Sequence, residues 1–167
     1  MKRSKELIPL SWEHHSALVN ASRIQRGLEN QTAVSILQEF IEFIWQHDLR
    51  PHFDREENII INRTEAEAID PGIKQRTLDE HREFNDLFDR IVKSNNSEQK
   101  MSYMERFAKL LTDHVRFEEN QFFPAVEEHF TADILQLVGK QLKEQHVPAC
   151  ITWNPPFWEK PRKDISS

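Results

Sequence analysis

The sequence predicts an all-α protein: an up-down-up-down four-helix bundle, then a short fifth helix and an extended C-terminal tail. Three observations predict it. Only three glycines occur in 167 residues, while Glu, Gln, Lys, Leu and Phe are plentiful, a balance that favours helices. Four long segments carry apolar residues at the 3.6-residue helical repeat. Polar or proline–glycine breaks separate those segments.

The first helix is expected to start at Ser11, a good N-cap residue, and to run to about Glu29. Its apolar face is Ala17, Leu18, Ala21, Ile24 and Leu28. Thr32 can cap the second helix, whose stripe is Val34, Leu37, Phe40, Ile41, Ile44, Trp45 and Leu49. Pro51 is expected to kink or split that helix, and the pattern resumes through Ile59 and Ile60. Asp70-Pro71-Gly72 is a break, and a third helix follows from about Ile73 to Lys93, with Leu78, Phe84, Leu87, Phe88 and Ile91 inward. Ser94 to Ser97 form a loop. The fourth helix spans roughly Glu98 to Phe130 and is interrupted at Pro124. Thr131 and Asp133 start a short fifth helix that ends near His146. The domain thus covers residues 1–146. Residues 147–167 form a tail rich in aromatics and proline, with Trp153, Pro155, Pro156, Phe157, Trp158 and Pro161, expected to lie extended on the bundle and to be open to a protein partner. No internal repeat is evident.

A net charge of -6 and a pI of about 5.8 argue against nucleic acid or anionic membrane as partners. The single cysteine, Cys150, excludes an internal disulfide framework and a CxxC zinc site. No run approaches the roughly 18–20 apolar residues of a membrane span. The basic start, Met1 to Glu6, is followed by no apolar signal region. A cytoplasmic protein is expected.

The chemistry lies in the histidines. His52 with Glu56 and His114 with Glu118 form HxxxE pairs, which put both side chains on one helix face. That spacing alone is weak in so acidic a chain. Placement adds weight. Rotating each helix by about 100° per residue puts His14, His52, His81 and His114 on the apolar stripes of four successive helices. Histidine is not a preferred core residue, so four such placements need an explanation. Height agrees as well. His14 lies about 16 residues before the first turn and His52 about 21 after it, a mismatch of roughly one helical turn. The other two junctions match similarly, so His14, His52, Glu56, His81, His114 and Glu118 can converge as metal ligands. His15 competes with His14 for the first position, and the helical face favours His14. Glu57 and Glu119 point off the histidine face and are read as outer partners or surface charges. His47, His129 and His146 are left as structural or exposed.

At these residues the chain resembles the hemerythrin-like, or HHE cation-binding, family over roughly residues 7–130. The resemblance rests on Glu13-His14 with Ala17-Leu18, His52-x-x-x-Glu56, Glu80-His81, and His114-x-x-x-Glu118 followed by Phe122 and Pro124. The stretch from Glu128 to His146 is similar to the region after the fourth helix in the family's iron-sensing member from an F-box protein. Oxygen-carrying members use a further histidine one turn before the third-helix ligand, where this chain has Thr77, and close the site with HxxxxD rather than HxxxE. The set of four histidines and two glutamates is closer to the iron-sensing and iron-centre-repair members. The resemblance implies two non-haem iron ions bridged by Glu56 and Glu118 and by an oxo or hydroxo group, with manganese and zinc as competitors. It implies a small diatomic ligand or peroxide. Two function classes follow: a protein that binds or senses dioxygen, nitric oxide, redox state or iron, and an enzyme of peroxide or nitric oxide reduction or iron-centre repair. No dedicated acid, base or second substrate pocket is evident, which favours binding or sensing.

Overall fold

Pro9 explains why the first helix begins earlier than Ser11. Its fixed φ suits a first helical turn, where a missing N–H costs nothing. In the computed structural model, which describes residues 3–146 and 152–160, α1 accordingly spans Ile8–Glu29. It buries Leu10, His14, Ala17, Ala21 and Ile24, whereas Leu18, expected inward, is 36% exposed. Leu18 sits about 100° round from Ala17, at the edge of the stripe. The helix closes with Gln31 at φ 55°, Thr32 N–H bonded to Gly27 C=O at 2.9 Å, and Gln31 N–H to Leu28 C=O at 3.1 Å. This left-handed closure satisfies two terminal carbonyls. Thr32 therefore ends α1 and does not cap the next helix, which starts after Ala33 without a side-chain cap.

The second helix, α2, runs continuously over 34–61, and Pro51 does not split it. An α segment Val34–Ile44 passes into a π turn at Trp45–Leu49, then α at Arg50–Arg55 and a second π turn at Glu56–Ile61. The π turn before Pro51 is closed by Arg50 N–H to Trp45 C=O. A wider turn relieves the clash a proline ring makes with the carbonyl four residues back. The same device recurs in α4 (97–129), where a π turn at Glu118–Phe122 precedes Pro124 and the helix continues through Phe123–His129. Between them, α3 spans Pro71–Lys93. Asp70 caps it by accepting from Gly72 N–H at 2.8 Å and Ile73 N–H at 3.2 Å, so the expected break is the helix start itself. A short 3₁₀ turn, Thr64–Ala68, links α2 to α3 and was not foreseen. Thr131 caps α5, Ala132–Glu144.

The four long helices pack as an antiparallel ring, α1 against α2 and α4, and α3 against α2 and α4. Two apolar clusters fill it. One, around Ile24, Phe40, Trp45, Phe84 and Phe107, occupies the end at the α1–α2 and α3–α4 turns. The other, around Leu10, Ile60, Phe122, Val126, Val138 and Leu142, is closed by α5. Residues 152–160 form an irregular segment against the first cluster. Phe157 meets Phe40 edge-on at 5.1 Å, and Asn30 donates to the Phe157 and Glu159 carbonyls. Gly27 makes room for it, because a Cβ there would lie 2.7 Å from the Phe157 ring. Cys150 and Pro161 lie outside the described residues.

Candidate metal centre

His14, His52, Glu56, His81, His114 and Glu118 meet between the two apolar clusters, each of the four long helices turning one buried histidine inward. All six are buried, and both glutamates are 0% exposed. They form two overlapping groups that could each hold a metal ion: His14, His52, Glu56 and Glu118, and His81, His114, Glu56 and Glu118. Within each group the donor atoms lie within 4.8 Å of one another.

The two glutamates divide their oxygens between the groups. Glu56 Oε1 lies 3.1 Å from His52 Nε2, and its Oε2 lies 3.3 Å from His81 Nε2. Glu118 Oε2 lies 3.0 Å from His14 Nε2, and its Oε1 lies 3.3 Å from His114 Nε2. Glu56 Oε1 and Oε2, Glu118 Oε1 and Oε2, His81 Nε2 and His114 Nε2 have no hydrogen-bond partner. Buried polar atoms are rarely left so, because desolvation without a partner costs on the order of 1–3 kcal/mol each, more for charges. His14 Nε2 and His52 Nε2 face each other at 3.1 Å. Two lone pairs at that distance repel unless a cation or a proton lies between them.

Outside these six, a second tier of carboxylates fixes the rings. Each histidine donates Nδ1–H to a glutamate: His52 to Glu13 at 2.6 Å, and His81 to Glu57, His114 to Glu80 and His14 to Glu119 at 2.7 Å each. This leaves Nε2 as the inward lone pair, the tautomer a metal ligand needs. The pattern runs round the bundle, each helix holding the histidine of the next, with α4 holding that of α1. Three of the four glutamates are braced by arginine. Glu13 takes two bonds from the buried Arg55, Glu80 pairs with Arg76 at 2.7 Å, and Glu119 with Arg3 at 2.9 Å. Aromatic faces complete the walls: Phe53 stacks on His81 at 4.2 Å and Phe123 on His14 at 5.0 Å.

Charge follows from this packing. Burial works against protonation of His81, but the Glu56 carboxylate 3.3 Å away and the bond to Glu57 outweigh it and raise the pKa to about 9. His14 and His52 are raised for the same reason, against the same burial. Burial likewise opposes ionisation of Glu119, yet bonds from His14 and Arg3 bring it down to about 2. Glu56 is held well below the usual carboxylate range by His52, His14 and His81, despite complete burial. Without metal, protons carry the positive charge that the glutamates demand.

The hemerythrin HHE cation-binding domain profile matches residues 7–126. The chain belongs to that family. No curated protein and no solved structure matches it. The HHE domain of this chain is a metal-binding helical bundle, and the six residues expected from the sequence are the ones the fold gathers. His15 is exposed, as are His47, His129 and His146. Thr77 is fully buried one turn before His81, but its hydroxyl donates to Ile73 C=O at 3.2 Å. Of the two readings open for Glu57 and Glu119, the outer partner is the one found, since both contact histidine rings. What the sequence reading missed is the same role for Glu13 and Glu80. The signal was present: Glu13-His14 with His52-x-x-x-Glu56-Glu57 recurs as Glu80-His81 with His114-x-x-x-Glu118-Glu119. This is the internal repeat that composition and periodicity did not reveal. No helix among the described residues is long and apolar enough to cross a membrane.

Proposed function

We propose that this protein holds two iron ions through His14, His52, Glu56, His81, His114 and Glu118, and uses them to bind or sense a small ligand such as dioxygen, nitric oxide or peroxide. The observation that carries the reading is the division of Glu56 and Glu118 oxygens between the two donor groups, which suits two ions sharing both carboxylates. Imidazole with carboxylate, and no thiolate among the six donors, is a donor set iron accepts well, with manganese and zinc as competitors. When bound, iron supplies a redox-active, Lewis-acidic centre for the small ligand. The chain's own residues do the rest. Glu13, Glu57, Glu80 and Glu119 hold the imidazoles in one orientation, and Phe53, Phe84 and Phe123 limit water around them. A site so enclosed suits a ligand of two or three atoms and favours binding or sensing over turnover of a larger substrate. A cytoplasmic setting belongs to the same reading.

The test is metal analysis and a visible spectrum of protein from iron-supplemented cells. About two irons per chain are expected, since six donors exceed what one tetrahedral ion takes. No metal after anaerobic reconstitution with ferrous iron would overturn the proposal. Steady turnover with excess peroxide or nitric oxide and a reductant would move the protein to the enzyme class.

A further inference from the structure

The four corners of the outer tier are not equivalent. Glu13, Glu80 and Glu119 each carry an arginine, whereas Glu57 pairs with His81 and with no arginine or lysine among the described residues. The Glu57 side chain is also the most open of the four, at 36% exposure against 12%, 14% and 30%. Beside it, a surface cavity of about 550 Å³ lies between α2 and α3 and reaches the His81 ring. Asp54, Glu57 and Asp86 line it together with Arg50 and Arg82, and Arg82 is paired to Asp79 at 2.7 Å. The cavity at the His52 corner, bounded by Glu13 and Arg55, holds only about 20 Å³, room for a single water.

Resting on the metal-binding reading above, we propose that metal ions enter and leave the buried centre through the Glu57–His81 corner. Glu57 collects a divalent cation at the mouth of the cavity, and His81, the histidine whose outer partner is least restrained, turns to pass it to Glu56. The three arginine-braced corners stay shut during exchange. Glu57 is thus a positioning residue with a kinetic role.

Asn85 is exposed, lies one turn beyond His81 on α3 and lines the same cavity, so its charge can be changed without touching a ligand. One unit charge roughly 8 Å from a divalent ion in water alters its local concentration by about fivefold. Loading of metal-free full-length protein with cobalt(II) alone is followed by stopped-flow quenching of tryptophan fluorescence. Trp45 is a suitable reporter, since its ring lies 6.1 Å from Phe53, which stacks on His81. Asn85→Lys should slow loading about fivefold at low salt and Asn85→Asp should speed it comparably, both effects fading at about 0.5 M salt. Asn95→Lys, the same charge change in the α3–α4 loop, should load as wild type. Glu57→Gln should load more slowly and Glu57→Asp should recover most of the rate, while final uptake should be unchanged in both Asn85 variants and in Asn95→Lys. Equal low-salt rates for wild type and Asn85→Lys would overturn the entry route while leaving the centre intact. A wild type that takes up neither cobalt nor ferrous iron would overturn both proposals.

Discussion

His14 and His15 share a backbone and little else: His14 is 2% exposed and its inner nitrogen faces His52, Glu56 and Glu118, while His15 is exposed. His14→Ala is therefore expected to remove one donor and lower metal occupancy, by about half if the ion beside His52 is lost, while His15→Ala leaves it unchanged. Metal content per chain after identical reconstitution reads the difference directly, and equal loss in both variants would contradict the assigned face. This much was legible from sequence, because a 100° step per residue separates neighbours decisively. The Nδ1 partners were less legible. Glu57 and Glu119 leave the histidine face of their own helices, and only the neighbouring helix shows that they reach the ring of another. A rule confined to one helix cannot see a bond that joins two.

At the scale of the helix, the end of α1 carries a testable strain. Gln31 holds a left-handed conformation that costs a non-glycine residue roughly 1–2 kcal/mol. Gln31→Gly should relieve it and raise stability by about 1 kcal/mol, partly offset by the greater freedom of glycine in the unfolded chain. Thermal unfolding should show a midpoint higher by about 2–4 °C, and a lower midpoint would show that the Gln31 side chain matters more than its backbone. The helical elements themselves were readable to within a few residues. The continuity of α2 and α4 through Pro51 and Pro124 was not, because a proline reads as a break unless a π turn is foreseen. The HxxxE faces survived because both donors of each pair stand within one turn closed in α fashion, up to Glu56 and Glu118. Past Glu56 the wider turn shifts the register, and Ile59, Ile60 and Ile61 are all buried where an unbroken α stripe would hide fewer.

For the whole molecule, the centre makes metal-free stability depend on pH. His81 is raised from 6.5 to about 9, so its contribution, about 3 kcal/mol, is fully present below pH 6.5 and is lost as pH rises through 9. Glu119 is lowered from 4.5 to about 2, so its contribution is present above 4.5 and is lost as pH falls toward 2. Metal-free protein is expected to be most stable between about pH 4.5 and 6.5 and to weaken toward pH 9, whereas metal-loaded protein should keep its stability there, since the ion replaces the protons. Denaturant midpoints at pH 6 and pH 9, with and without metal, check both limbs, and a metal-free midpoint that rises toward pH 9 would contradict the charge assignment. The recurring pattern has a different kind of consequence. The α1–α2 hairpin supplies two histidines, one shared glutamate and two outer glutamates, and the α3–α4 hairpin supplies the same. Each hairpin is half a centre, and neither closes without the other, because every outer bond that leaves a hairpin lands on its counterpart. Such a chain has the logic of a symmetric dimer written into a single gene: a two-helix ancestor, paired with its own copy about a two-fold axis, would already possess the complete set of donors. Within this single chain the two halves differ at equivalent corners, Glu57 without an arginine and Glu119 paired with Arg3.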